Sequence, residues 1–304
     1  MGSFRASAVA RSRAPKFRDR LAFRALLLVR AVARRIPLAT GQRIGSMLGG
    51  LGFTLLRRER RKAIDHVGLA FPDSSPAERE RIVREMFRHL GCSLFEICWI
   101  PNLDPDKLAA STRFENIEHL HQALEGGRGV LLFTAHCGNW EWLGASLAIA
   151  EFPINTIARE MDDSRLNEFI MSTRALHGLR TIERGSEMSG RAILQALRSG
   201  GILAMLIDQN IVAENVEVDF FGQPALTPVG PARLAIRSGA AAIAGFIERR
   251  DGIQHIRFEA PVFTSRDDDP GELTRLMTEA IERQVRKRPE QWVWMHKRWR
   301  KRKP

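Results

Sequence analysis

Four consecutive apolar residues, Val130-Leu131-Leu132-Phe133, stop abruptly at Thr134-Ala135-His136-Cys137-Gly138-Asn139. The run lacks the alternation of a half-exposed strand, so it fits a strand buried on both faces, as in a sheet covered by helices on each side. After Trp140 and Glu141, residues 142–149, which begin Trp142-Leu143, read as an apolar helix. His136 therefore stands where a strand gives way to a helix, with Glu141 five positions later. On one continuous helix those side chains would diverge by roughly 140°. They meet only if His136 sits on the turn and Glu141 in the first helical turn, with Gly138 freeing the turn. A carboxylate on one imidazole nitrogen would fix the tautomer and leave the other nitrogen as a general base. The other reading is a histidine that caps the helix beside a glutamate that favours the positive helix end. The spacing alone leaves both open.

The rest of the chain alternates in the same way. Strands are expected at 111–115, 154–159, 178–182, 202–207, 240–248 and 253–258, and an extended stretch at 216–221. Helices are expected at 117–124, 164–176, 190–198, 228–238 and 272–285. Ser75-Pro76-Ala77-Glu78 is a helix start, with serine as cap, proline first and glutamate third, and it opens an apolar stripe through Ile82, Met86, Leu90 and Leu94. Thr227 is read as the cap of the 228–238 helix. The pattern predicts an α/β fold, a mostly parallel central sheet flanked by helices, with an N-terminal helical membrane-associated segment in front. Sites in such sheets form at strand carboxyl ends. His136, Arg159-Glu160 and Asp208-Gln209 each follow a predicted strand, so three separated segments converge on one edge. That convergence favours catalysis over a capping histidine.

Charge divides the 304 residues further. Residues 1–62 carry sixteen Lys/Arg against Asp19 and Glu59, and 297–303 add six more basic residues; between them lie 25 basic and 33 acidic residues. Basic ends on a mildly acidic body suit an anionic surface, membrane lipid or nucleic acid. No nucleic-acid motif is present, so lipid is favoured. The chain is read as a basic start (1–20), a membrane-associated helical segment (21–62), a catalytic domain (63–296) and a basic tail (297–304). Residues 36–56 are apolar and Gly-rich but carry Gln42 and Arg43, which suits two membrane-surface helices or one marginal span; a helix pair packed on the protein's own core is the alternative. Trp292, Trp294 and Trp299, beside Lys297 and Arg298, would suit a headgroup interface or a solvated end.

Cys92, Cys98 and Cys137 show no ligand or disulfide spacing and suggest a reducing compartment. Cys137 reads as a small residue filling a tight turn. His119 and His121 would face different sides of a helix, and no other histidine has metal-ligand spacing.

With these residues assembled, the sequence resembles the bacterial lipid A late acyltransferases, the lauroyl/myristoyl transferases of the lysophospholipid acyltransferase superfamily. The matching segments are HCGNWEW (136–142), ARE (158–160), LIDQN (206–210), FFGQPALTPVGPARLAIRSGA (220–240) and RPEQWVWMHKRW (288–299). Glu141 stands where the glycerolipid branch has Asp, and no EGTR segment is found. The resemblance implies transfer of a fatty acyl chain to a hydroxyl of a lipid A precursor at the cytoplasmic face of the bacterial inner membrane, by a peripheral or single-pass protein. It implies acyl carrier protein, or acyl-CoA, as donor, with no bound cofactor or metal. Another lysolipid, such as a phosphatidylinositol mannoside, ornithine lipid or lysophospholipid, is the alternative acceptor. In this reading His136, oriented by Glu141, is the base. Arg159 steadies the oxyanion or grips an acceptor phosphate, and Asp208 holds Arg159. Glu160, Asn139 and Gln209 support the site.

Overall fold

The computed structural model describes residues 17–185 and 189–299. Helices α1 (Phe17–Ala33), α2 (Leu38–Leu55), α3 (Arg57–Ala70), α4 (Pro76–Trp99) and α5 (Pro105–Ser111) lead into β1 (Thr112–Glu115). There follow α6 (Ile117–Glu125), β2 (Val130–Thr134), α7 (Trp140–Ile149), β3 (Ile154–Ala158), α8 (Ser164–Ala175), β4 (Arg180–Glu183), α9 (Ser189–Arg198) and β5 (Ile202–Leu206). The chain continues through β6 (Asn215–Phe220), β7 (Gln223–Pro228), α10 (Gly230–Ser238), β8 (Ala241–Arg250), β9 (Ile253–Phe258) and α11 (Pro270–Lys287).

Seven strands form one sheet in the order β1-β9-β8-β2-β5-β3-β4, parallel at every pairing except β8–β9. All five residues of β2 are buried, as its unbroken apolar run requires. Successive side chains point to opposite faces. Leu131 and Phe133 pack with Ala232, Ala235 and Ile281 of α10 and α11, while Val130 and Leu132 pack with Leu120, Trp142 and Leu143 of α6 and α7. Full burial of each such large side chain stabilises the fold by about 1.5–3 kcal/mol. The mostly parallel, helix-flanked sheet is therefore the expected one.

The helical front is organised by α4. Ser75 and Glu78 form the expected capping box, with Glu78 N–H on Ser75 Oγ at 3.2 Å and Ser75 N–H on Glu78 Oε2 at 2.8 Å. Helix α2 lies directly on α4 through Gly41, Gly45 and Gly49, four residues apart on one face. A Cβ at Gly45 would sit 2.5 Å from the Gly91 carbonyl oxygen, and one at Gly91 would sit 2.0 Å from the Gly45 carbonyl oxygen. The two backbones touch, so one face of α2 belongs to the protein's own core. Its other face exposes Met47, Leu48, Leu51 and Leu55. Among the described residues no helix is long and apolar enough to cross a membrane. The marginal-span reading of 36–56 gives way to a helix that is half core and half apolar surface.

Three further expectations change. Residues 223–228 form β7, paired antiparallel with β6, and α10 begins at Gly230 without a side-chain cap. Thr227 Oγ1 instead accepts from Arg298 Nη2 at 2.7 Å. Trp292, Trp294 and Trp299 are not at a headgroup interface or a solvated end; they are buried, and Trp292 reaches the site described next. The basic start and tail lie largely outside the described residues, at 1–16 and 300–304.

Candidate active site

The turn between β2 and α7 is fixed from several sides. Gly138 has φ +57°, and a Cβ there would meet the Ile247 carbonyl oxygen at 2.3 Å, so both its conformation and its crowding call for glycine. Gly138 N–H donates to the Gln291 carbonyl at 2.8 Å, and Val293 N–H donates to the His136 carbonyl at 3.2 Å. The segment following α11 thus runs beside the turn. Asn139 caps α7, its Oδ1 accepting from Trp142 N–H at 3.1 Å, and its Nδ2 donates to Glu96 Oε2 at 3.0 Å. Glu96 is itself fully buried and held by Arg249 through Nε at 2.7 Å and Nη2 at 2.5 Å. Asn139 therefore acts inside the fold, anchoring the turn to α4.

His136 emerges from this turn with 18% of its side chain exposed. Its carboxylate partner is Asp208. His136 Nδ1 lies 2.7 Å from Asp208 Oδ1, and the His136 backbone N–H donates to Asp208 Oδ2 at 2.8 Å. Trp292 Nε1–H donates to the same Oδ2 at 2.8 Å. Burial alone would push the Asp208 carboxyl up. The His136 imidazole and the donors from His136 and Trp292 overcome it and hold the group well below the usual carboxylate range. An ionised Asp208 places the imidazole proton on Nδ1 and leaves Nε2 with its lone pair. Against the ring lie the edge of Trp140, centroids 4.8 Å apart, and His296, 4.7 Å apart. Gln209 Nε2 lies 3.1 Å from His136 Nε2 and 3.0 Å from His296 Nε2.

The expected pairing of His136 with Glu141 is corrected. Glu141 occupies the first turn of α7, buried, and takes a two-pronged contact from Arg174 of α8, Nε at 2.8 Å and Nη2 at 2.6 Å. The histidine precedes the helix and points to the neighbouring strand, while the glutamate turns towards α8. The expected Arg159–Asp208 pair is corrected as well. Arg159 and Glu160 are exposed on the loop after β3, and Arg159 meets Asp162 at 3.4 Å. In the strand order β5 lies between β2 and β3, so it is β5 and its Asp208 that adjoin His136. Of the anticipated residues, the fold brings together His136, Asp208 and Gln209. It adds Trp140, from HCGNWEW, and Trp292 and His296, whose signal was the tryptophan-rich segment 292–299 with its one histidine.

Burial, with Asp208 and Glu248 nearby, pushes the Cys137 thiol far up, so this residue fills space and is no nucleophile. Among the described residues no group of His, Cys, Asp or Glu could hold a metal ion.

A histidine stands at the carboxyl end of a central parallel strand with a buried aspartate behind one nitrogen, an arrangement that can accept a proton at the other nitrogen. The sequence profile of the bacterial lipid A biosynthesis acyltransferases matches residues 13–301, so the chain belongs to that family. It is 27% identical over 276 residues to the lipid A biosynthesis lauroyltransferase of Escherichia coli K12, covering 88% of each chain. It is 24% identical over 262 residues to the palmitoleoyltransferase of the same organism, covering 85% of this chain and 84% of that one. It is also 26% identical over 211 residues to the phosphatidylinositol mannoside acyltransferase of Mycobacterium tuberculosis H37Rv. That match takes in 67% of this chain and 66% of the mycobacterial one.

Proposed function

We propose that this protein transfers a fatty acyl group from a thioester donor, acyl carrier protein or acyl-CoA, to a hydroxyl of a lipid A precursor, with His136 as general base held by Asp208. The observation that carries this reading is the 2.7 Å contact between His136 Nδ1 and Asp208 Oδ1, which leaves Nε2 as the free base nitrogen. The acceptor hydroxyl gives its proton to Nε2 as its oxygen bonds to the thioester carbonyl carbon. The carbonyl becomes an oxyanion, and its collapse breaks the C–S bond. The proton on His136 then passes to the departing thiolate. The thioester is already activated, so no acyl-enzyme is required. Asp208 stays ionised and steadies the imidazolium that forms in between. Gln209 supplies an N–H for the oxyanion. Arg159, exposed on the loop after β3, is assigned to an acceptor phosphate, where its planar fork suits phosphate oxygens.

The acceptor and the donor chain are lipids, and the exposed apolar face of α2 gives the protein a way to reach them. We assign Met47, Leu48, Leu51 and Leu55 to a lipid surface, with Arg43, Arg57 and Arg58 meeting anionic headgroups, at the cytoplasmic face of the bacterial inner membrane. The names of the mycobacterial relatives support a second acceptor, a phosphatidylinositol mannoside or another lysolipid. One experiment separates these. Purified protein and His136→Ala are given acyl carrier protein and acyl-CoA donors of several chain lengths, with lipid A precursor and lysolipids side by side. Label on the lipid A precursor that disappears in the variant supports the first reading. Label only on another lysolipid moves the acceptor and keeps the mechanism. Transfer that survives in the variant removes His136 from the reaction.

A further inference from the structure

Gln209 Nε2 touches two imidazoles at once, His136 at both ring nitrogens (Nε2 at 3.1 Å, Nδ1 at 3.3 Å) and His296 Nε2 at 3.0 Å. A carboxamide nitrogen carries two N–H groups and cannot accept. An atom that close to both ring nitrogens of His136 lies over the face of the ring, outside the plane of its lone pairs, so the lone pair that takes the Gln209 N–H is that of His296 Nε2. For His296 this demands the neutral form with its proton on Nδ1. Burial, with His136 beside it, pulls His296 down to about 4, so that form holds at neutral pH.

The reaction has no step for His296 itself, yet its acceptor solves a problem. A glutamine carboxamide can turn either its N–H or its carbonyl towards a neighbour. A carbonyl turned to this side would repel the developing oxyanion. An acceptor on the far side selects the N–H orientation. We propose that His296 is a positioning residue that holds the Gln209 carboxamide by one N–H, so that the other stays beside the His136 ring and is presented to the oxyanion. This rests on the acyl-transfer reading above.

The test compares wild type with His296→Leu, which lacks an acceptor, and His296→Gln, which offers one, alongside Gln209→Ala and the double variant Gln209→Ala/His296→Leu. His296→Leu is expected to lower kcat by roughly tenfold to a hundredfold, the range a misplaced catalytic contact costs. KM for both substrates should stay within about twofold, since the contact matters at the transition state. His296→Gln should recover most of the loss, and the double variant should be no slower than Gln209→Ala alone. Nitrogen-15 NMR of histidine-labelled protein should place the proton on Nδ1 in both His136 and His296, with the His296 Nε2 signal moving in Gln209→Ala. Wild-type kcat in His296→Leu, or losses that add in the double variant, would overturn the proposal. So would a His296 protonated on Nε2. If wild type moves no acyl group, the transfer reading fails, and the NMR signature still decides whether His296 holds Gln209.

Discussion

His136 and Asp208 face each other because each stands two residues beyond a paired position, Thr134 opposite Leu206 in the parallel register of β2 and β5. The contact is thus a property of the sheet. Two neighbouring parallel strands end level, and whatever side chain follows each at the same offset is delivered to the same place. Trp292 then closes the carboxylate from the side of the C-terminal segment. An isolated charge buried as Asp208 is would be costly, and these donors are what make it tolerable.

Glu141 has a different task, joining α7 to α8 through Arg174; only 8% and 12% of their side chains are exposed. Glu141→Ala leaves a buried guanidinium without its partner and should cost about 3–5 kcal/mol. Arg174→Ala should cost a similar amount. Urea unfolding of both single variants and the double should show the double less destabilised than the sum. Additive losses would mean that the two side chains act separately.

Acid should destabilise the protein well above the carboxylate range. His89 accepts from Arg249 at 2.8 Å, and burial together with the Arg249 charge pulls it down to about 4; His296 is likewise pulled down to about 4. Between pH 6.5 and 4 the unfolded chain binds a proton at each position that the folded chain refuses. Stability therefore falls as pH drops through this window, by on the order of 3 kcal/mol per histidine over its full width. Asp208 is also pulled down, and its contribution is lost only at lower pH, below the ordinary carboxylate value. Urea midpoints at pH 7, 6 and 5 should fall steadily in wild type and less steeply in His89→Gln. An equal slope in both would contradict the assignment.

The apolar face of α2 should bind lipid independently of catalysis. Leu48 and Leu51 are each 53% exposed and Met47 is 75% exposed, so replacing all three by serine removes little core. Flotation with anionic vesicles should show binding reduced roughly tenfold or more, since affinity scales with the apolar area inserted. Thermal stability should be nearly unchanged. Equal flotation of variant and wild type would move the lipid surface elsewhere.

Much of the sheet was legible because strands buried on both faces leave unbroken apolar runs, as at 130–133 and 202–207. The convergence of His136 with Asp208-Gln209 followed from their common place after such runs. Their pairing did not follow, because strand order is set by packing among distant segments and leaves no local spacing. The sequence-adjacent Glu141 is the partner that local spacing suggests, and a helix turn of different direction carries it to Arg174. The buried tryptophans misled for a related reason. Trp292 and Trp294 sit in a strongly basic segment that reads as interface, and only the tertiary fold tucks it beneath the site. The two-faced character of α2 was hidden in Gly41, Gly45 and Gly49, whose spacing serves close packing on α4.

The most direct test of the His136–Asp208 assignment is the kcat of Asp208→Asn in acyl transfer, measured beside wild type with saturating donor and acceptor. The substitution keeps the shape and removes the charge that fixes the His136 proton on Nδ1. Its loss should be roughly two to four orders of magnitude, with both KM values and the fold little changed. An Asp208→Asn protein that turns over at the wild-type rate would contradict it.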